Sequence, residues 1–169
     1  MTVATKYPTK FGSLEDYVKG DLTIIDDDPK RYTYSNMFEV ASISAPYEKV
    51  AVAKNMEYVL EVLRAEGTSG WRTSAHDEFA LVMDGEVEVR LRKPDRALVA
   101  EDTLGSVAVE GEPGGRPMGI IRARKGHMVL LPANAAYQFD CSGVGVILMQ
   151  TVESQDTVYK WVEICQTIP

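Results

Sequence analysis

Trp71-Arg-Thr-Ser-Ala-His-Asp-Glu-Phe-Ala-Leu-Val-Met-Asp-Gly85 runs into Glu86-Val-Glu-Val-Arg-Leu91, and the two stretches share one rhythm. Phe79, Leu81 and Met83 recur at every second position before Asp84-Gly85. Val87, Val89 and Leu91 do the same after it, with Glu86, Glu88 and Arg90 between them. A period of two is that of a β-strand, whose successive side chains point to opposite faces. Asp-Gly between two such runs is a turn signal, because glycine takes the positive φ that a tight reversal needs. The pattern therefore predicts a β-hairpin.

Toward the C-terminus, residues 118–122, 127–131, 136–139 and 144–152 are strand-like runs separated by Gly126, Pro132 and Gly143. Residues 92–117 carry charges, Pro113, Pro117 and Gly114-Gly115, and read as a long excursion between strands, with no phosphate-loop spacing. Toward the N-terminus, residues 56–65 fit two patterns. Met56, Val59, Leu60 and Leu63 suit a helical face, and Met56, Tyr58, Leu60 and Val62 suit a strand; the surrounding strands favour the latter. From Tyr32 onward, aromatic and β-branched residues broken by Pro46 predict short strands after an Asp26-Asp-Asp-Pro29 turn. Ser13-Leu-Glu-Asp-Tyr-Val-Lys-Gly20 opens on a capping residue, places acids in its first turn and closes on glycine, which predicts a short helix in an N-terminal arm. In residues 157–166, Val158, Trp161, Val162 and Cys165 share a helical face, and an edge strand fits equally well. Many short strands with turns between them indicate an all-β sandwich or barrel.

At 169 residues and 45% hydrophobic composition the chain suits one domain, with enough apolar material for its own core. A net charge of -7 argues against a nucleic-acid partner, whose phosphates recruit clustered Lys and Arg. Residues 1–11 are polar and contain Pro8, so neither a signal peptide nor a membrane span is expected, and the expected compartment is the cytoplasm. Cys141 and Cys165 lack metal-type spacing and read as free thiols, in keeping with a reducing compartment.

The stretch ending at Gly85 and a second one, Gly126-His-Met-Val-Leu-Leu-Pro-Ala-Asn-Ala-Ala-Tyr137, resemble the paired motifs of the cupin family. The spacings from Glu78 to Gly85 and from Gly126 to Pro132 both match. The resemblance implies a single-domain jelly-roll β-barrel over residues 31–169, behind a short N-terminal helical arm over residues 1–30. In metal-binding cupins the first motif supplies His-x-His and then Glu, and the second supplies a His after its Pro. Aligned on Glu78, the two His positions fall on Arg72 and Ser74, or on Trp71 and Thr73 in the neighbouring register; aligned on Pro132, the last falls on Tyr137 and the family's glycine is Asn134. Only Glu78 matches a ligand, so the resemblance implies a degenerate site of Arg72, Ser74, Glu78 and Tyr137 with no metal in this chain.

Most of the chain further resembles the small subunit of two-subunit extradiol hydroquinone 1,2-dioxygenases. The segments that carry this are Tyr34-Ser-Asn-Met-Phe-Glu-Val-Ala41, Ala65-Glu-Gly-Thr-Ser-Gly-Trp71, His76-Asp-Glu-Phe-Ala80, Gly126 to Tyr137 and Lys160-Trp-Val-Glu-Ile-Cys165. The resemblance implies a heterotetramer of two small and two large subunits, with Fe(II) held by the large cupin subunit. It also implies O2 insertion into hydroquinone to give 4-hydroxymuconic semialdehyde. A ferrous ion with open positions suits this chemistry, since phenolate and O2 must bind side by side. The role it implies for this chain is support of the large subunit's barrel, with one wall of the substrate pocket and no catalytic residue.

Several residues keep two readings. Trp71, in the turn Gly67-Thr-Ser-Gly-Trp71 at the expected barrel mouth, either covers a phenolic ring or packs as a core or interface tryptophan. Tyr137 either fills the vacated ligand space and hydrogen-bonds Glu78 or acts as a catalytic phenol. Glu78, without a metal, is expected either to pair with a cation, Arg72 being nearest in sequence, or to hold its proton. His76 either replaces a lost ligand or caps a turn, and His127 reads as an ordinary polar residue after Gly126. Two rival functions follow: a free-standing metal-free cupin that binds a small molecule as sensor or carrier, and a self-sufficient enzyme using His76, Glu78 and His127. With only two histidines in the chain, the second of these has few ligands to draw on.

Overall fold

In a computed structural model, the chain is described over residues 12–17 and 36–160. It is mostly β-structure with one short helix among the described residues. The helix is α1 (Met37–Ile43), and the strands are β1 (Val50–Asn55), β2 (Tyr58–Thr68), β3 (Trp71–Ser74), β4 (Glu78–Asp84), β5 (Glu86–Lys93), β6 (Ser106–Val109), β7 (Arg116–Arg124), β8 (Met128–Leu131) and β9 (Ala136–Val152). All nine strands join one antiparallel sheet that curls into a half-closed barrel.

β9 organises the sheet. Along one edge it pairs with β2, from Tyr58↔Val152 to Thr68↔Asp140, and then with β3 at Arg72↔Tyr137. Along the other it pairs with β4, from Phe79↔Gln150 to Asp84↔Val146, and then with β5, from Glu88↔Asp140 to Arg92↔Ala136. β4 and β5 thus run in the same direction, end to end along one partner. The hairpin predicted at Asp84-Gly85 does not form. Gly85 has φ +76, as the turn reading required, but it bends a continuing strand, and a Cβ there would stand 2.8 Å from the Gly145 Cα. The outer partners continue the same way, β7 beside β5 and β8 beside β4.

Other boundaries also move. Gly143 does not separate two strands, because β9 passes through it unbroken. The excursion before Pro117 contains β6, which pairs with β3 from Trp71↔Val109 to Ser74↔Ser106. The helix predicted from Ser13 is a bend over residues 12–17, closed by Ser13 N–H donating to Asp16 O (2.9 Å) and Asp16 N–H to Ser13 Oγ (3.0 Å); residues 18–20 lie outside the described residues. The helix is formed instead by Met37–Ile43, within the run expected to be strands. Asn36 accepts from the Phe38 N–H at 3.0 Å and Glu39 stands in the first turn, so the N-terminus is capped by side chain and charge. The arm predicted over residues 1–30 and the tail beyond Lys160 lie largely outside the described residues; within reach, Val158 makes a single parallel bridge to Val50.

Two apolar clusters flank the sheet. The interior holds Leu63, Ala65, Ala80, Val82, Val87, Val89, Phe139, Ile147 and Met149. On the outer face, Phe38, Val40 and Ala41 of α1 cover Val50, Val52, Val62 and Val146, and Tyr17 stacks on Phe38 at a 6.4 Å centroid distance. β2 is therefore covered on both faces at its centre. Residues 56–65 do form a strand from Tyr58, but Leu60 and Val62 meet α1, while Val59, Glu61, Leu63 and Ala65 alternate with them on the other face.

Candidate functional site

The interior of the barrel carries charge where a core alone would be apolar. Glu78, at the start of β4, is fully buried, and Tyr137, near the start of β9, is 2% exposed. Tyr137 Oη donates to Glu78 Oε2 at 2.8 Å, and Thr151 Oγ1 donates to Glu78 Oε1 at 2.5 Å. Thr151 comes from the far end of β9, next to the Phe79↔Gln150 pair, so the two ends of one strand hold the same carboxylate. Of the two readings of Tyr137, the structure shows the hydrogen bond to Glu78. Burial first, then the Glu78 charge, pushes the Tyr137 phenol well above its ordinary pKa, so it stays a donor.

Arg72 does not pair with Glu78. Its Nη2 lies 2.7 Å from Asp156 Oδ2, and Nη2 and Nε donate to Ser106 O (2.7 Å) and Ser106 Oγ (3.0 Å). The guanidinium is drawn to a partial rim carboxylate rather than the deeper one, which two hydroxyl donors already satisfy. Ser74 is buried but turned to its own loop, where Oγ accepts from the His76 N–H at 3.1 Å. Of the four residues of the degenerate site, the structure joins Glu78 directly to Tyr137 and leaves Arg72 and Ser74 with other partners.

Sequence reasoning missed the cation that dominates this interior. Lys49, 4% exposed, places Nζ near Ser154 Oγ (2.6 Å), Asp156 Oδ1 (3.2 Å), Ser106 Oγ (3.3 Å) and Glu61 Oε2 (3.4 Å). Glu61 is fully buried and its other oxygen accepts from Thr157 Oγ1 at 2.6 Å. Burial raises the Glu61 pKa; Lys49 and Thr157 oppose this, and the Glu78 charge adds to it. For Asp156, burial also acts upward, but the Ser154 hydroxyl and the charges of Lys49 and Arg72 outweigh it, and the carboxyl is held below its ordinary value. The network opens on a cavity of about 760 Å³ at the rim, lined by Ser106, Ser154, Asp156, Asp102 and Glu57.

This donor set does not suit a ferrous ion. Hydroxyls satisfy the carboxylate of Glu78, a guanidinium stands at one former His position, and an ammonium already lies among the other oxygens. His127 is exposed and turned onto Arg124, its Nδ1 2.9 Å from the Arg124 N, as a turn residue. His76 Nδ1 lies 3.0 Å from Asp77 O; its Nε2 is buried with no hydrogen-bond partner. Among the described residues, no group of three or more His, Cys, Asp or Glu side chains is placed to hold a metal.

Trp71 lies on the outer face of the sheet. Glu86, Glu88 and Arg90 alternate with the buried Val87, Val89 and Leu91, so Arg90 lies on the outer face, opposite Gln138 of β9 and Ile120 of β7. Trp71 joins that row across β3, half-buried, and together with Arg90, Arg92, Pro117, Ile120 and Gln138 it lines a depression of about 590 Å³. Arg92 closes one side through Glu112 and the Gly115 carbonyl (3.0 Å). Cys141 is a free, buried thiol, and burial pushes its pKa up; Cys165 lies outside the described residues.

No protein-family model and no curated protein sequence matches the chain. Solved structures do. A chain of hydroquinone 1,2-dioxygenase from Sphingomonas sp. TTNP3, crystallised with 4-hydroxybenzoate, is 55% identical, with a TM-score of 0.89, over 97% of this chain and 100% of that one. A chain of hydroquinone 1,2-dioxygenase PnpCD, in complex with Cd2+ and 4-hydroxybenzonitrile, is 47% identical, with a TM-score of 0.88, over 99% and 100%. A different chain, from PnpCD in complex with Fe3+, shares the fold alone, at 11% identity and a TM-score of 0.60, and this chain spans 42% of its length. Identity of this order over the whole of two such chains means that the chain belongs to the hydroquinone 1,2-dioxygenase family.

Proposed function

We propose that this chain is the non-catalytic, metal-free small subunit of an Fe(II)-dependent hydroquinone 1,2-dioxygenase that cleaves hydroquinone with O2 to 4-hydroxymuconic semialdehyde. The observation that carries the proposal is the filled ligand site: Tyr137 and Thr151 on Glu78, and Lys49 among Glu61, Asp156, Ser106 and Ser154. Support for a partner comes from the related dioxygenase structures, in which chains of two kinds resemble this one. One is matched over its full length, and the other is longer and of the same fold. The larger cupin subunit is the proposed seat of the iron, in a heterotetramer of two small and two large subunits.

In that assembly the iron supplies the activation of O2 and phenol, and this chain supplies shape. The buried ion network keeps the barrel rigid without a metal. Trp71, on the outer face, offers a flat aromatic surface that closes one wall of a phenol site lying mainly in the large subunit. No side chain of this subunit takes part in proton transfer.

Iron content tests this reading. The chain purified alone with excess Fe(II) is expected to hold none, and the chain purified with its larger cupin partner is expected to hold iron and to consume O2 on addition of hydroquinone. Stoichiometric iron in the isolated chain would overturn it and make His76 and His127 the next residues to replace.

A further inference from the structure

The loop that delivers Trp71 to the outer face has no packing of its own. Gly67 has φ +68, and a Cβ at Gly67 or at Gly70 would meet nothing within 4 Å. Hydrogen bonds set its course instead. Tyr47 Oη donates to Gly67 O at 2.6 Å, Thr68 Oγ1 to Asp140 Oδ2 at 2.8 Å, and Ser69 exchanges two bonds of 2.9 Å with the Phe139 backbone. The remaining tie is Gln138 Nε2 donating to Ser69 O at 2.9 Å, and Gln138 alone among these groups also lines the depression beside Trp71.

The amide of Gln138 has one possible sense. On one side stands the Ser69 carbonyl, which only accepts; on the other stands the Arg90 guanidinium, which only donates, with Nη1 3.4 Å from Gln138 Oε1. Arg90 is held in turn by Glu88 (3.1 Å) and Asp140 (3.3 Å). A chain of bonds therefore runs from two carboxylates through Arg90 and Gln138 to the residue two places before Trp71. We infer that Gln138, oriented by Arg90, is the positioning residue that fixes the Trp71 indole for the phenolic substrate. This rests on the proposed role of Trp71 as a wall of the substrate site. Such a wall must hold its place to be of use, since a displacement of about 1 Å is enough to weaken a fitted contact severely.

The test uses the assembled dioxygenase. Gln138→Leu removes both bonds; Gln138→Glu keeps an acceptor for Arg90 and sets a carboxylate against the Ser69 carbonyl. Because Trp71 would face a ring rather than a reacting atom, loss of its position is uniform binding loss, and KM for hydroquinone is expected to rise roughly tenfold in both variants with kcat within about twofold. In a Trp161→Phe background, both are expected to shift Trp71 emission to the red and to increase its quenching by acrylamide, which reads the indole even if one variant assembles poorly. Trp71→Ala is measured alongside. If Trp71→Ala raises KM and neither Gln138 variant does, the positioning role is overturned and the substrate-wall reading stands. If Trp71→Ala leaves KM unchanged, the substrate-wall reading falls and the positioning role falls with it.

Discussion

Tyr137 donates its phenol proton to Glu78 across 2.8 Å, with both side chains shut off from water. The sequence resemblance to cupin motifs sets these two residues at positions that hold a metal in metal-binding members. Here one has become a hydrogen-bond donor for the other, so the site is closed by chemistry as well as by volume. A buried carboxylate needs its lone pairs met, and Thr151 meets the second oxygen.

Replacing Tyr137 by Phe keeps the ring, including its tilted contact with Phe139 at 5.5 Å, and removes only the donor. A buried acceptor left short costs about 1–3 kcal/mol. Urea denaturation should show a loss of that size with an unchanged m-value; a loss near zero would mean that water or another group takes the donor's place.

Lys49 and Glu61 stand 3.4 Å apart, one 4% and the other 0% exposed. Removing one partner of a buried pair strands the other, at about 3–5 kcal/mol. Lys49→Met is expected to destabilise by that order, and adding Glu61→Gln should recover part of it. Thermal unfolding of the two singles and the double closes the cycle, and simple additivity would show that the pair is not coupled.

Two of the perturbed carboxyls, Asp156 and Glu61, give opposite pH limbs. Asp156 is held below its ordinary value of 3.8, so its contribution is complete above that pH and is lost as pH falls through the folded value. Glu61 is raised above its ordinary 4.5, so the folded state favours its protonated form, and that contribution is complete below pH 4.5 and lost as pH rises through the folded value. Stability measured against pH should lose part of its acid limb in Asp156→Asn, the rest belonging to Glu48 and Glu153, and its rise-side slope in Glu61→Gln. A wild-type slope above pH 4.5 that survives Glu61→Gln would assign it to another group.

Gly85→Ala meets two obstacles, the positive φ and a backbone contact 2.8 Å from the new Cβ. Strained backbone of this kind costs about 1–3 kcal/mol before any clash is counted. Thermal unfolding of this variant beside Gly143→Ala, where a Cβ meets nothing within 4 Å, should show a large loss for the first and a small one for the second.

The strands were legible because their alternation is a property of neighbours in sequence; of the groups on Glu78, Tyr137 was named from its distance to Pro132, while Thr151, at the far end of β9, carried no signal. The bend at Gly85 was not legible, since positive φ at an Asp-Gly pair serves a reversal and a kink alike, and only the pairing of both halves with β9 separates them. Glu61 was hidden for a related reason. In β2 it follows Leu60 and precedes Val62, which reads as a polar outer face until α1 is seen to cover those apolar residues and turn the carboxylate inward. Lys49 lies far along the chain from Ser154 and Asp156, and nothing local marks it as a buried cation. The face on which Trp71 lies was not legible, because the register of β3 against β9 cannot be read from composition.

One strand, β9, is the shared partner of β2, β3, β4 and β5, and it follows all of them in the chain. During synthesis those four strands therefore emerge with an edge unsatisfied and cannot close until residues 136–152 have left the ribosome. Pairings so distant in sequence also make for slow folding. The interval before β9 arrives is when the chain is most open to wrong association, and a co-translational partner or chaperone would act then.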